Sequence, residues 1–233
     1  MMLRGTEIKA VVFDAYGTLL DVGSLTAACA AVTADPSACV TLWRAKQLEY
    51  TFLRSPMGRY VDFWRVTADA LDYTVAHLRL AVAPAARERL LEAWLALEPY
   101  PDAEATLRRL ASRPLAVLSN GSPRMLETAL EHAGLRPYRP HVFSVDPLGI
   151  YKPAPRVYEE APRCLGVAPE RILFVSGNSW DAAGAASFGL RVAWLNRAGV
   201  PFDVLGQQPD WEIRLLRELT DRLDGPRDAR GGA

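Results

Sequence analysis

Asp14 stands at the end of an apolar run, Ala10-Val11-Val12-Phe13, and opens the stretch Asp14-Ala15-Tyr16-Gly17-Thr18. A carboxylate at the end of a buried strand costs free energy unless it is paired or hydrogen-bonded. It is either a loop cap or a nucleophile that forms an ester intermediate, and D-x-x-G-T-L directly after a strand favours the nucleophile. Gly17 supplies an unusual backbone conformation. Thr18 either holds the aspartate oxygen in line or caps the following segment. A second apolar run, Leu115-Ala116-Val117-Leu118, opens onto Ser119-Asn120-Gly121-Ser122. Hydroxyls, an amide and backbone N–H groups at a helix start make a ready anion site. Ser122-Pro123 reads as an N-cap followed by proline at the first helical position, which leaves Ser119 and Asn120 for binding. Lys152, in Tyr151-Lys152-Pro153, is a cation whose spacing from the strands brings it towards Asp14. There it would lower the aspartate's pKa and stabilise charge that develops as an ester is hydrolysed. A third run, Ile172-Leu173-Phe174-Val175, opens onto Ser176-Gly177-Asn178-Ser179-Trp180-Asp181, with Asp181 as the second carboxylate.

Such clusters need a scaffold that presents them together. Continuous apolar runs at 8–14, 115–119, 141–145, 172–176 and 191–195 are the pattern of strands buried on both faces. Helical stretches lie between them: Pro123 to Ala133, Pro155 to Leu165 and Trp180 to Phe188, stopped by Gly134, Gly166 and Gly189. The alternation predicts an α/β fold with a Rossmann-like parallel sheet and right-handed crossovers. In such a sheet ligands bind beyond the carboxyl ends of the strands, which is where Asp14, Ser119, Asn120, Lys152, Asn178 and Asp181 fall.

Residues 21–98 break the rhythm. Leu42, Trp43, Lys46, Gln47 and Tyr50 share one helical stripe. Phe63, Val66, Ala70, Leu71 and Leu78 share a second, and Leu90, Leu91, Trp94 and Leu97 a third. The expected division is a core domain of 1–20 and 99–223, an all-helical cap subdomain of 21–98, and a disordered tail of 224–233 beginning at Asp224.

The 233 residues, half of them apolar, suffice for a buried core. Lys plus Arg and Asp plus Glu balance at 27 each. That balance gives no electrostatic case for nucleic acid or an anionic membrane. No apolar stretch approaches the roughly 20 residues that span a bilayer, and Met1-Met2-Leu3-Arg4-Gly5 runs straight into a strand without a signal-peptide apolar region. Cys29, Cys39 and Cys164 read as free thiols of a cytoplasmic protein. Their spacing makes no metal knuckle.

Taken in order, the aspartate loop, the Ser/Asn loop, Lys152 and the Asp181 loop resemble the haloacid dehalogenase superfamily. Within it, the chain is most similar to the L-2-haloacid dehalogenase family, from about Ile8 to Leu223 and including the Pro209-Asp210-Trp211-Glu212 segment. Phosphatases of the superfamily carry a further aspartate where this chain has Tyr16, and another where it has Asn178. Their loss removes attraction for Mg²⁺ and the general acid that a leaving alcohol requires. A halide needs no proton. The resemblance therefore implies hydrolysis of (S)-2-haloalkanoates to (R)-2-hydroxyalkanoates and halide through an aspartyl ester, with no metal and no cofactor. It implies catalytic roles for Asp14, Thr18, Lys152, Ser176, Asn178 and Asp181. It implies substrate-binding roles for Ala15, Tyr16, Arg44, Phe63, Ser119, Asn120, Tyr158 and Trp180, with Arg44, Asn120 and Phe63 receiving the halide. For Phe63, Tyr158 and Trp180 a place in the packed core is the competing reading, and for Arg44 a solvated helix charge. The resemblance also implies a homodimer. Two departures stand out: Ala45, where relatives carry glutamine, and Gly177, where they often carry serine, which should loosen the loop beside Asp181. A Mg²⁺-dependent phosphatase, a metal-free hydrolase opening a strained ring beside a carboxylate, and a silent interaction module are the rival readings.

Overall fold

The computed structural model describes residues 2–3, 6–138 and 141–224. A short antiparallel ribbon, β1 (Met2–Leu3) with β2 (Thr6–Glu7), precedes the main sheet. That sheet contains β3 (Ala10–Phe13), β4 (Leu115–Ser119), β5 (His141–Ser144), β6 (Ile172–Ser176), β7 (Arg191–Leu195) and β8 (Trp211–Ile213). Their order is β5-β4-β3-β6-β7-β8, and every neighbouring pair is parallel. β3, β4 and β6 are buried along their whole length. This accounts for their unbroken apolar sequence, because helices cover both faces of a parallel sheet. The chain turns outward from β3 in both directions, to β4 on one side and β6 on the other, so the carboxyl ends of these three strands share one crevice.

Ten α-helices are present among the described residues. Between β3 and β4 run α1 (Thr26–Cys29), α2 (Pro36–Arg54), α3 (Phe63–His77), α4 (Pro84–Glu92) and α5 (Ala103–Leu110). Then come α6 (Pro123–His132), α7 (Pro155–Tyr158), α8 (Glu160–Leu165), α9 (Ser179–Phe188) and α10 (Arg217–Asp224). Residues 21–98 contain no strand. α2 begins at Asp35, whose side chain accepts from Ala38 N, with Pro36 at the first helical position. α3 begins the same way at Asp62, which accepts from Arg65 N. The two helices pack side by side. Trp43 Nε1 donates to Thr67 O at 2.8 Å, and Arg54 pairs with Asp69 at 2.6 Å. The chain leaves the core and returns at one place, where Asp21 N donates to Glu98 O at 2.8 Å and Tyr100 N to Leu19 O at 2.9 Å. Tyr60 OH donates to Asp146 (2.6 Å) and Tyr151 OH to Val61 O (2.5 Å), which fastens the far part of this segment over the loops beyond β5.

Four expectations need correction. The helix expected from Pro155 to Leu165 is broken into α7 and α8 at Glu159, because Pro162 has no N–H and its ring would strike the carbonyl of Tyr158 in a continuous helix. Asp224 is not part of a disordered tail. It closes α10 and pairs with Arg113 at 3.1 Å, while 225–233 lie outside the described residues. Ser122 does occupy the N-cap position of α6, but its side chain makes no capping hydrogen bond. The strand expected at 8–14 is confined to Ala10–Phe13.

Candidate active site

Four carboxyl-end loops converge on Asp14. Its Oδ1 accepts from Lys152 Nζ at 3.0 Å. Its Oδ2 accepts from Thr18 Oγ1 at 3.2 Å and from Asn178 Nδ2 at 2.9 Å. Lys152 Nζ reaches on to Asp181 Oδ2 at 2.9 Å, so one ammonium lies between two carboxylates. Asp181 also accepts from Ser176 Oγ at 2.9 Å and from Tyr158 OH at 2.7 Å. Thr18 holds a second bond, accepting from Gly177 N at 2.8 Å, which ties the first loop to the last.

Burial sets the electrostatics. Lys152 is 1% exposed and Asp181 fully buried. Burial alone would push the lysine pKa down. The charges of Asp14 and Asp181 outweigh it, and the pKa lies above the usual lysine value. For Asp181, burial raises the carboxyl pKa to about 6, against the pull of Lys152 and the Tyr158 hydroxyl. The Tyr16 hydroxyl is buried without a partner, and burial raises its pKa far above the phenol range.

A small chamber of about 230 Å³ opens over Asp14. Tyr16, Arg44, Phe63, Ser119, Asn120, Lys152, Asn178 and Trp180 line it. Asn120 spends its carbonyl on Lys152 N at 3.0 Å, so the group it can offer a ligand is its NH₂. Arg44 reaches over from α2, with Nη2 at 3.5 Å from Tyr16 O. Phe63, from α3, is both chamber wall and core: its ring packs on Tyr16 and Tyr151 at centroid distances of 5.8 and 6.2 Å.

Among residues expected to bind substrate, two stand elsewhere. Tyr158 is fully buried on α7, is absent from the chamber lining, and spends its hydroxyl on Asp181. Ala15 is also absent from the lining, and its carbonyl accepts from the Thr18, Leu19 and Leu20 N–H groups. Gly177 does not leave a loose loop. Its N–H is bound to Thr18, and a side chain's Cβ would stand 2.2 Å from Gly17 O.

Two residues of α2 were not singled out from sequence as part of the site. Leu48 lines the chamber one turn after Arg44, a neighbour that i,i+4 spacing gives directly. Gln47 is fully buried, accepts from Arg44 Nη1 at 2.6 Å and donates to Thr67 Oγ1 at 2.6 Å. Because the Thr67 hydroxyl proton goes to Phe63 O (2.6 Å), the amide NH₂ of Gln47 must face Thr67 and its oxygen must face Arg44. One hydrogen-bonded chain thus holds both Arg44 and Phe63 against the chamber.

The donor set does not fit a magnesium ion. Asn178 turns its NH₂, not an oxygen, towards Asp14, and the ammonium of Lys152 joins the two carboxylates. No group of three potential metal-binding side chains (His, Cys, Asp or Glu) exists among the described residues.

Against known proteins, a family model described as haloacid dehalogenase-like hydrolase matches residues 8–189. An (S)-2-haloacid dehalogenase of Pseudomonas sp. (strain YL) is 47% identical over 220 residues, spanning 93% of this chain and 95% of that one. The solved structure of the L-2-haloacid dehalogenase RSc1362 is 42% identical, with a TM-score of 0.91 over 94% of this chain and 100% of that one. The L-2-haloacid dehalogenase from Xanthobacter autotrophicus with chloropropionic acid covalently bound is 38% identical, with a TM-score of 0.89 over 94% and 99% of the respective chains.

Removing the central cation should expose its role. Lys152→Met leaves two facing carboxylates uncompensated and should destabilise the fold by about 3–5 kcal/mol at neutral pH. The stranded carboxyls acquire raised pKa values in the folded state, so the penalty is full above those values and shrinks as pH falls and they take up protons. Urea unfolding of native and variant chains at pH 7.5 and pH 5 measures both effects. An equal penalty at the two pH values would show that charge is not its source.

Proposed function

The chain belongs to the (S)-2-haloacid dehalogenase family of the haloacid dehalogenase-like hydrolases, and from that premise we propose how its residues split the carbon–halogen bond of (S)-2-haloalkanoates. The observation that carries the proposal is Asp14 at the floor of the chamber, with Lys152 on one oxygen and Arg44 in the chamber wall. Asp14 attacks C2 from the face opposite the halogen, inverts the centre and forms an ester. Oδ1 is the attacking oxygen, since it carries one hydrogen bond where Oδ2 carries two. Thr18 and Asn178 fix the other oxygen and hold the carboxylate in one orientation. Ser119, Asn120 and the Tyr16 backbone bind the substrate carboxylate. Arg44, Phe63 and the Asn120 NH₂ receive the halide, for which an always-charged guanidinium is suited.

Water then attacks the carbonyl carbon of the Asp14 ester. Its oxygen enters the aspartate, and the original aspartate oxygen departs in the (R)-2-hydroxyalkanoate. Lys152 stabilises the developing oxyanion. Asp181 orients Lys152, accepts the proton of the water and returns it to the departing alkoxide oxygen, while Ser176 and Tyr158 hold Asp181 in place. Residues 21–98 act as a cap that closes the chamber over the core of 1–20 and 99–223. We place the enzyme in the cytoplasm, in keeping with three free thiols. We also propose a homodimer, for which the exposed Leu53 of α2 and Tyr73 of α3 are candidate contacts, and light scattering gives the mass that tests it.

With EDTA present, chloride should be released from (S)-2-chloropropionate and not from its enantiomer. Asp14→Ala should lower the rate by roughly 10⁴-fold or more. Chloride release persisting in that variant would remove Asp14 as nucleophile. No release from either enantiomer, with Mg²⁺-dependent hydrolysis of p-nitrophenyl phosphate, would restore the phosphatase reading.

The pH profile follows from Asp181. With its carboxyl pushed up to about 6, the ionised form needed beside Lys152 dominates above that pH. The single-turnover rate of ester hydrolysis should therefore fall as pH drops through about 6, while Lys152 stays charged throughout. A flat profile between pH 5 and 7 would contradict this role for Asp181.

A further inference from the structure

A second cavity adjoins the chamber. It is larger, about 970 Å³ against about 230 Å³, and open to solvent. Phe52, Pro56, Pro153, Ala154 and Leu205 give it an apolar lining. Lys152 and Trp180 line both spaces, so they form the shared wall. Lys152 turns its ammonium to the two carboxylates, which leaves the aliphatic stem for the outer side. On Trp180 the ring of Phe52 stands edge to face, with centroids 5.0 Å apart and planes at 79°. The one acidic side chain in the outer lining, Asp203, is fixed by a 2.7 Å hydrogen bond from Ser179 Oγ.

The chemistry of the two spaces differs in a way that selects an occupant. The cation and amide that suit anions, Arg44 and Asn120, line the inner chamber only. The outer pocket offers hydrocarbon and a carboxylate, so it disfavours the acid group and the departing halide and favours a neutral alkyl chain. The chamber has room for little more than a water molecule, about 10 Å³ of free space, and leaves no place for such a chain. Resting on the dehalogenase reading above, we propose that the outer pocket is the subsite for the alkyl tail of longer (S)-2-haloalkanoates. The Phe52–Trp180 ring pair is the partition that parts to let the tail through while C2 stays over Asp14.

The test is a series of (S)-2-chloroalkanoates from propionate through hexanoate to octanoate, assayed by chloride release. In the native enzyme, kcat/KM should rise with chain length by up to about fourfold per added methylene, the gain for burying a CH₂ group. Ala154→Trp fills the pocket and should cut kcat/KM for octanoate at least tenfold while leaving propionate unchanged. Leu205→Asp puts a charge at an exposed position where folding is not at risk, and should shift selectivity in the same direction. Phe52→Ala opens the partition and should favour octanoate over propionate. Equal loss on every substrate in both pocket variants, or octanoate rejected by the native enzyme and by Phe52→Ala alike, overturns the subsite. Failure to turn over propionate in the native enzyme would instead overturn the dehalogenase reading itself.

Discussion

One buried ammonium organises this protein. Lys152 is nearly inaccessible to water, and a charge so placed is stable only with partners that are themselves charged and hydrogen-bonded. Its partners arrive from separate parts of the chain, Asp14 after β3 and Asp181 in the first turn of α9 after β6. Any slip in register among the central strands would pull one carboxylate away and leave an unpaired charge in the interior. Pairing across the sheet, Phe13 with Val175 and Phe13 with Val117, therefore fixes more than hydrophobic contact. It fixes the distances on which the triad depends.

The neutral residues around the triad follow from the same constraint. Asp14 already faces a second carboxylate through one shared cation. An acid at 178 would add a third negative group against Oδ2, whereas the Asn178 amide donates to it. An acid at 16 would meet a buried pocket of Phe63 and Trp94 rings, against which Tyr16 packs at centroid distances of 5.8 and 5.6 Å, tilted on the first and edge-on to the second. Asn178 Nδ2 also binds Tyr16 O at 3.1 Å, so the two positions where metal-dependent relatives place aspartates are joined here by an amide–carbonyl bond. A small side chain is equally necessary behind the triad. A Cβ on Gly184 of α9 would stand 2.6 Å from Tyr158 OH, the hydroxyl that steadies Asp181.

Much of this was legible because buried parallel strands write themselves as apolar runs, and polar residues that end such runs are conspicuous. Asp14, Ser119, Asn120, Asn178 and Asp181 were found that way. Lys152 does not end an apolar run, and its spacing from the strands on either side is what singles it out. The pattern was less informative where tertiary contacts decide. α5 has buried Ala103, Thr106, Leu107 and Leu110 at helical spacing, a stripe only about two turns long and interrupted by charged residues. β8 is a three-residue edge strand, too short for any period to emerge. Nothing local to Tyr158 tells a ligand contact from a brace on Asp181, since both put a hydroxyl near the site. Gln47 looked like one more member of an apolar stripe. Only the committed proton of Thr67 reveals which way its amide must point.

The two crossings between the sheet and residues 21–98 lie side by side, stitched by Asp21–Glu98 and Leu19–Tyr100 backbone hydrogen bonds. An inserted segment whose ends meet imposes almost no length requirement on what lies between them. Helices can be lengthened, retilted or exchanged there while β3 keeps its pairing with β4 and β6. Arg44, Leu48, Phe52 and Phe63 all belong to that segment, whereas Asp14, Lys152 and Asp181 do not. The helical wall of the chamber and the buried triad beneath it are thus encoded in separable stretches of chain, and evolution can revise the first without reopening the second.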